Sequence, residues 1–186
     1  MDVNSVAVIG AGTMGRGIAY AAALGGYKTI LEDVSHTRLE QAILSIQQTL
    51  DQAVSQGKIA AIVRDAALQN LSMANTVEDA LREADLIIET LPEEMEMKLE
   101  LFTIFDKFAK PHAIFASSST SLSITEMAEI TFCAERCIGM RFVDPVRETS
   151  VLELVKGRET SQETIAICAE AGRRMRKKVV VRPESM

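Results

Sequence analysis

Three clusters of residues have types and spacings that could do chemistry. The first is VAVIGAGTMGRG, which carries GxGxxG at Gly10, Gly12 and Gly15 immediately after a short apolar run. In a strand–turn–helix setting, Gly10 permits the tight turn and Gly12 lets the backbone approach a pyrophosphate. Gly15 lets helix and strand pack closely, and the helix start at Thr13 and Met14 supplies free N–H donors to the anion. Asp33 ends the next apolar run, 33 − 15 = 18 positions past Gly15. That is where an acid meets adenosine ribose hydroxyls, and it would repel a 2′-phosphate. No cation follows Asp33 before Arg38, so the pattern favours NAD over NADP.

The second cluster is CIGMRFVDPV, residues 137–146, where Arg141 interrupts a strand-like run that stops at Asp144 before a proline. Charges at a strand end mark either the mouth of a site or a solvated edge. The third is LIIETLPEEMEMK, with Glu93 and Lys98 opening a helix after an apolar strand. Acids are common in a first helical turn, so a purely structural role is the competing reading. His36 and His112 read as surface or turn residues. Cys133, Cys137 and Cys168 are odd in number and lack CxxC spacing, which argues against a disulfide framework or a metal site and for buried, reduced thiols.

The elements that must position these groups alternate between Val/Ile-rich runs and segments of helical period, the pattern of an α/β fold. Strands are expected near 4–9, 28–33, 70–74, 85–90, 112–116, 136–143, 150–156 and 177–182. The fold class is a Rossmann-type, doubly wound, mostly parallel sheet. The connection over 35–69 is too long for a simple crossover. Leu39, Ile43, Ile46, Leu50 and Val54 share one helical face, and Gly57 breaks the pattern before a second helix around 59–67, so a helical hairpin is inserted after the second strand. Capping boxes are expected at Ser123 with Glu126 and at Thr160 with Glu163. The basic cluster Arg173, Arg174, Arg176, Lys177 and Lys178 is read as cations complementing the end of a helix.

At 186 residues the chain suits one dinucleotide-binding domain spanning 1–186. A net charge of −6 excludes a general affinity for nucleic acid. With no apolar run of membrane-spanning length and a first strand beginning at Val3, a cytoplasmic location is expected.

Taken in order, GAGTMGRGIA, the hairpin, ADLIIETLPEEMEMK, FASSSTSLSI, GMRFVDPV and LELVKG make the sequence similar to the NAD-binding domain of the L-3-hydroxyacyl-CoA dehydrogenase family over essentially its whole length. The resemblance implies NAD held by Gly10, Gly12, Thr13, Met14, Gly15 and Asp33, with Glu93, Lys98 and Thr120 towards the nicotinamide. It implies hydride transfer between NAD and a 3-hydroxyacyl or 3-oxoacyl thioester in fatty acid metabolism. The ligand class is an acyl-CoA or another anionic small molecule. Members continue into a helical domain that builds the acyl pocket and dimer contact, whereas this sequence ends at RPESM. A helical-domain partner or a homo-oligomer would complete the cleft.

Several positions depart from the family. Members read HFFNP where this chain reads RFVDP, so Arg141 replaces the histidine base and Asp144 an asparagine, while Glu153 keeps the carboxylate of the dyad. Thr120 keeps a serine's hydroxyl, and Ser118 stands at an asparagine position. In the hairpin Thr49 preserves a hydroxyl for coenzyme A, but Gln56 replaces a lysine, and Lys58, two positions on along a helix, is expected to point elsewhere. Histidine, with a pKa of about 6.5, can take a hydroxyl proton, and arginine, above about 12, cannot. Two functions follow. One is an NAD-dependent dehydrogenase with Glu153, Thr120 and Arg141 at its catalytic end. The other is a non-catalytic NAD(H)-binding module or regulatory subunit.

Overall fold

The computed structural model describes residues 2–184. Eight strands form one sheet: β1 (Ser5–Ile9), β2 (Lys28–Glu32), β3 (Leu71–Met73), β4 (Leu86–Glu89), β5 (Ile114–Ser117), β6 (Cys137–Phe142), β7 (Val151–Lys156) and β8 (Lys178–Pro183). Seven α-helices connect them: α1 (Thr13–Leu24), α2 (His36–Ser55), α3 (Ala61–Asn70), α4 (Val77–Glu83), α5 (Met95–Phe108), α6 (Ile124–Glu129) and α7 (Gln162–Arg174). The strand order is β3-β2-β1-β4-β5-β6-β7-β8, parallel except for the antiparallel pair β6 and β7. The first six strands reproduce the doubly wound dinucleotide-binding order, which reverses between β1 and β4 and opens a crevice past their carboxyl ends.

Burial explains why the central strands are apolar throughout. Every residue of β1, β4 and β5 is buried, because helices cover both faces of a parallel sheet. On one face Val6, Val8 and Leu31 pack with Ile18 of α1, Ile46 and Leu50 of α2, and Cys168 of α7. On the other, Ala7, Ile30 and Ile87 pack with Leu81 of α4 and with Phe102 and Phe105 of α5. Phe102, Phe105 and Phe115 form a ring cluster with centroids 5.3–6.2 Å apart, a spacing at which tilted and edge contacts are favourable. Alternation along β2 therefore sends Ile30 and Leu31 to opposite faces, and Glu32 to the face of Ile30.

The hairpin is the pair α2 and α3. Ser35 caps α2 through the Arg38 N–H, and Gly57, at φ +67°, ends it in a left-handed conformation that favours glycine. Ser123 caps α6 as expected, its hydroxyl accepting from the Glu126 N–H. The expected cap at Thr160 is corrected: Ser161 caps α7 by accepting from the Thr164 N–H. Thr160 is drawn off the helix because its hydroxyl donates to the Cys137 carbonyl and accepts from the Gly157 N–H.

The basic cluster is corrected too, since only Arg173 and Arg174 lie in the last turn of α7. Arg174 stacks over the Tyr27 ring at 4.0 Å. Lys177 is buried and donates to the Val146 and Thr149 carbonyls, and burial pushes its amine pKa down. All three cysteines are buried and free. Among the described residues no helix is long and apolar enough to cross a membrane, and no cluster of metal-ligand side chains is found.

Candidate dinucleotide and catalytic site

Packing accounts for two of the three glycines in the turn but not for the third. Gly10 sits at φ +101°, and a Cβ on Gly15 would stand 1.8 Å from the Gly10 carbonyl oxygen, so α1 can dock on β1 only if residue 15 has no side chain. A Cβ on Gly12 would meet nothing within 4 Å. Gly12 is the N-cap of α1, with no side-chain cap and no acid in the first turn, whereas α2, α4, α6 and α7 are capped by a Ser or Thr hydroxyl. The open ground over Gly12 and the uncapped N–H groups of Thr13, Met14 and Gly15 suit a pyrophosphate approaching from outside the fold.

Asp33 lies one residue beyond β2 with only 5% of its side chain exposed. One oxygen accepts from the Ala11 N–H and the other from the Ser35 N–H, both at 2.8 Å. It therefore joins the glycine turn to the start of α2. Arg38, one helical turn on, places Nη1 at 3.4 Å from Asp33. Asp33 and Arg38 line a cavity of about 640 Å³ together with Glu32, Val77, Leu101 and Ile104. This space lies beside the Asp33 carboxylate and has the apolar walls that a purine ring needs. The turn, the acid and the cavity thus fit a dinucleotide.

At the other end of the crevice the carboxyl ends of β4, β5 and β6 converge on the segment 117–123. Glu93 is its anchor: one oxygen accepts from the Ser119 hydroxyl (2.6 Å), the Thr120 N–H (2.8 Å), the Ser121 N–H (2.9 Å) and the Ser121 hydroxyl (3.0 Å). Burial acts to raise its pKa, but hydrogen bonds from Ser119, Ser121 and Thr120 outweigh it and bring the carboxyl down to about 2. The Thr120 hydroxyl also lies 3.3 Å from Glu93.

Beneath this loop, Lys98 and Glu89 form an ion pair in which both side chains are fully enclosed, with N···O distances of 2.7 and 2.8 Å. Lys98 also donates to the Leu91 carbonyl at 3.1 Å, and Glu89 accepts from the Leu91 N–H and the Ser117 hydroxyl. The pair thus ties the turn at Leu91 to the end of β5. Lys98 presents no surface to a ligand and acts from below.

Arg141 and Glu153 are register partners across β6 and β7. Arg141 donates through Nε to the Ser119 carbonyl at 2.8 Å and sets Nη1 3.6 Å from Glu153. Glu153 pairs in addition with Arg182 of β8 at 2.5 Å. Its carboxylate is the counter-ion of two guanidinium groups. Neither histidine is near. His36 pairs with Glu40 on α2, and His112 faces Asp85 at the amino end of β4, away from the crevice.

The fold links Glu93, Thr120 and Arg141 by hydrogen bonds within the 119–121 loop, joins Glu153 to them through its ion pair with Arg141, and gathers Gly10, Gly12, Thr13, Met14, Gly15 and Asp33 around the mouth of α1. Sequence reasoning missed Ser119, Ser121, Glu89 and Arg182. An acid closing the apolar run LIIE was the one legible sign of Glu89. The rest depend on which loop atoms face one carboxylate. Lys58 also differs from its expected direction. Because α2 ends at Ser55 and the chain turns at Gly57, Lys58 shares a cavity of about 140 Å³ with Thr49, Gln56 and Arg147.

The sequence profile of the family described as "3-hydroxyacyl-CoA dehydrogenase, NAD binding domain" matches residues 5–185. The chain belongs to this family. A 3-hydroxybutyryl-CoA dehydrogenase of Bradyrhizobium diazoefficiens is 37% identical over 96% of this chain and 61% of its own length. The mitochondrial hydroxyacyl-coenzyme A dehydrogenase of Sus scrofa is 35% identical over 88% of this chain and 54% of its own. The crystal structure of a 3-hydroxybutyryl-CoA dehydrogenase from Escherichia coli K12 superposes with TM-score 0.95 at 33% identity, over 98% of this chain and 39% of that one. This hydroxyacyl-CoA dehydrogenase-family chain spans about 60% or less of the length of these relatives. Its cofactor is NAD, consistent with the open turn at Gly12 and the acid at Asp33.

Proposed function

We propose that residues 1–186 act as one NAD(H)-binding unit of hydroxyacyl-CoA dehydrogenase type in which the alcohol-oxidising step is disabled at Arg141. The resemblance aligns Arg141 with the histidine that accepts the hydroxyl proton. NAD, when bound, supplies a hydride acceptor. The protein must then supply a proton acceptor, and a guanidinium engaged by Ser119 and Glu153 cannot be one. This engagement of Arg141 is the observation that carries the proposal. In it, Gly10, Gly12, Thr13, Met14, Gly15 and Asp33 hold the adenosine and pyrophosphate. Glu93 and Thr120 shape the loop at the nicotinamide end, and Lys98 positions the Leu91 turn from beneath.

A second reading is supported by the donor that Arg141 leaves over, since Nε and Nη1 account for the partners of its guanidinium among the described residues. In the reductive direction that donor would orient a 3-oxoacyl thioester or 3-oxo acid, with Thr120 at hand. Thr49, Lys58 and Arg147 around one cavity favour an anionic ligand such as an acyl-CoA on that side.

The test pairs calorimetric NADH binding with acetoacetyl-CoA reduction on this chain and on Arg141→His, Asp144→Asn. Binding by both proteins with turnover only in the double variant supports the proposal. Turnover by the unaltered chain supports the reductive reading instead, and absence of NADH binding contradicts both.

A further inference from the structure

The wall of the adenosine cavity holds a carboxyl group that the fold does not use. Glu32, the last residue of β2, is only 5% exposed and lines the cavity of about 640 Å³. Its side-chain oxygens have no hydrogen-bond or ion-pair partner among the described residues, although its backbone carbonyl accepts from the Gly10 N–H. Its neighbours Leu31 and Asp33 are fully committed, one to the core and the other to the N–H groups of Ala11 and Ser35. Those oxygens keep accessible surface on the cavity, so their hydrogen-bonding capacity is free for a ligand that enters it.

Alternation along β2 sends Glu32 to the face of Ile30, opposite Leu31, so it points into the cavity between β2, α4 and α5. The groups around it are mostly acidic: Asp33 beside it, Glu78 in the first turn of α4 and Glu100 on α5, with Arg38 on α2 the one cation lining the cavity among the described residues, already drawn to Asp33. Burial, then the charges of Asp33 and Glu78, push its carboxyl up to about 7. It is thus a neutral acid just below that pH, with one O–H donor and one C=O acceptor. The exocyclic amine of adenine donates and the adjacent ring nitrogen accepts, the pattern that amide side chains read in pairs. A protonated carboxyl offers the same pair.

Resting on the reading that this crevice binds NAD(H), we propose that Glu32 is the residue that recognises the adenine edge, and that it does so as the protonated acid. Nucleotide binding and proton binding at Glu32 are then linked. Affinity falls as pH rises above the point at which the acid ionises, and binding at higher pH takes up about one proton.

The experiment is calorimetric titration with NADH, and with ADP-ribose, which lacks the nicotinamide, at about pH 6 and about pH 8.5, in buffers of differing ionisation enthalpy. The unaltered chain should bind both ligands roughly tenfold tighter at the lower pH and take up a proton at the higher one. Glu32→Gln, whose amide keeps a donor and an acceptor, should bind equally at both pH values. Glu32→Val should lose roughly tenfold at the lower pH and show no pH dependence, the effect expected of an unmade hydrogen-bonded pair. Equal affinity of the unaltered chain at both pH values, with Glu32→Val unchanged, overturns the inference and leaves the dinucleotide reading standing. Absence of binding at either pH overturns both.

Discussion

Lys98 and Glu89 are joined in an ion pair sealed completely beneath the 117–123 loop. Its geometry explains how a turn and a strand from different parts of the chain are held in register. Two oxygens of Glu89 receive Lys98, the Leu91 N–H and the Ser117 hydroxyl, so no lone pair is left facing apolar surroundings without compensation. Lys98→Met removes the cation and strands the acid. We expect a loss of about 3–5 kcal/mol in urea denaturation. Adding Glu89→Leu should restore most of it. A loss under about 1 kcal/mol in the single variant would show that the pair is not what holds the turn.

Glu93 gathers the 119–121 loop through four donors within 3.0 Å. Its folded pKa of about 2 lies below the ordinary 4.5, so its contribution is present above pH 4.5 and is lost as pH falls through 2. The residue is exposed, and solvent screening limits the effect. Glu93→Gln should destabilise the chain by about 1 kcal/mol at neutral pH, a difference that closes in acid-titrated denaturation. A constant difference across that window would assign the loss to packing instead.

Glu32 has the opposite sign. Its folded pKa of about 7 lies above the ordinary 4.5, so the chain is most stable on this account below 4.5 and carries the full penalty of the buried carboxylate once pH has risen through 7. Denaturation of the ligand-free chain should become easier across that interval by at most about 3 kcal/mol, the full linkage value, and by less to the extent that solvent in the open cavity screens the carboxylate. Glu32→Gln should flatten the slope. A slope that survives the substitution would place the titrating group elsewhere.

Asp33 serves the fold whether or not it also meets the ribose as proposed, because it accepts the Ala11 and Ser35 N–H groups. Asp33→Ala should therefore lower stability by about 1–2 kcal/mol and also weaken NADH binding. Asp33→Asn, which keeps one acceptor, should recover part of the stability and little of the affinity. Unchanged affinity in both variants would remove the acid from the ribose site.

Much of this architecture is legible in the residue pattern, for physical reasons that can be named. Strands such as VAVI and LIIE are apolar throughout because both faces of a parallel sheet are covered, and the break at Gly57 shows the hairpin because only a left-handed residue ends α2 there. Positions fixed by long-range contact are not legible. Ser161 rather than Thr160 caps α7 because the Thr160 hydroxyl finds the Cys137 carbonyl, 23 residues away. Lys98 is read as a residue towards the nicotinamide, yet its side chain is fully enclosed and its amine is held by Glu89 and the Leu91 carbonyl. Lys58 turns towards Thr49 only because the helix has already ended. The pairing of Arg182 with Glu153 requires β8 to lie beside β7, which local sequence does not disclose.

Gly12 separates the needs of the fold from those of the cofactor. A Cβ there meets nothing within 4 Å, at an ordinary negative φ of −68°. Gly12→Val should lower stability by about 1 kcal/mol, the cost of a branched apolar residue at the N-cap of α1, and leave the chain folded. The decisive measurement is calorimetric titration of NADH into the unaltered chain and into this variant. Saturable binding that drops at least about tenfold in a stably folded Gly12→Val protein is the result expected if the pyrophosphate rests on this turn. Equal affinity of the two proteins would contradict it.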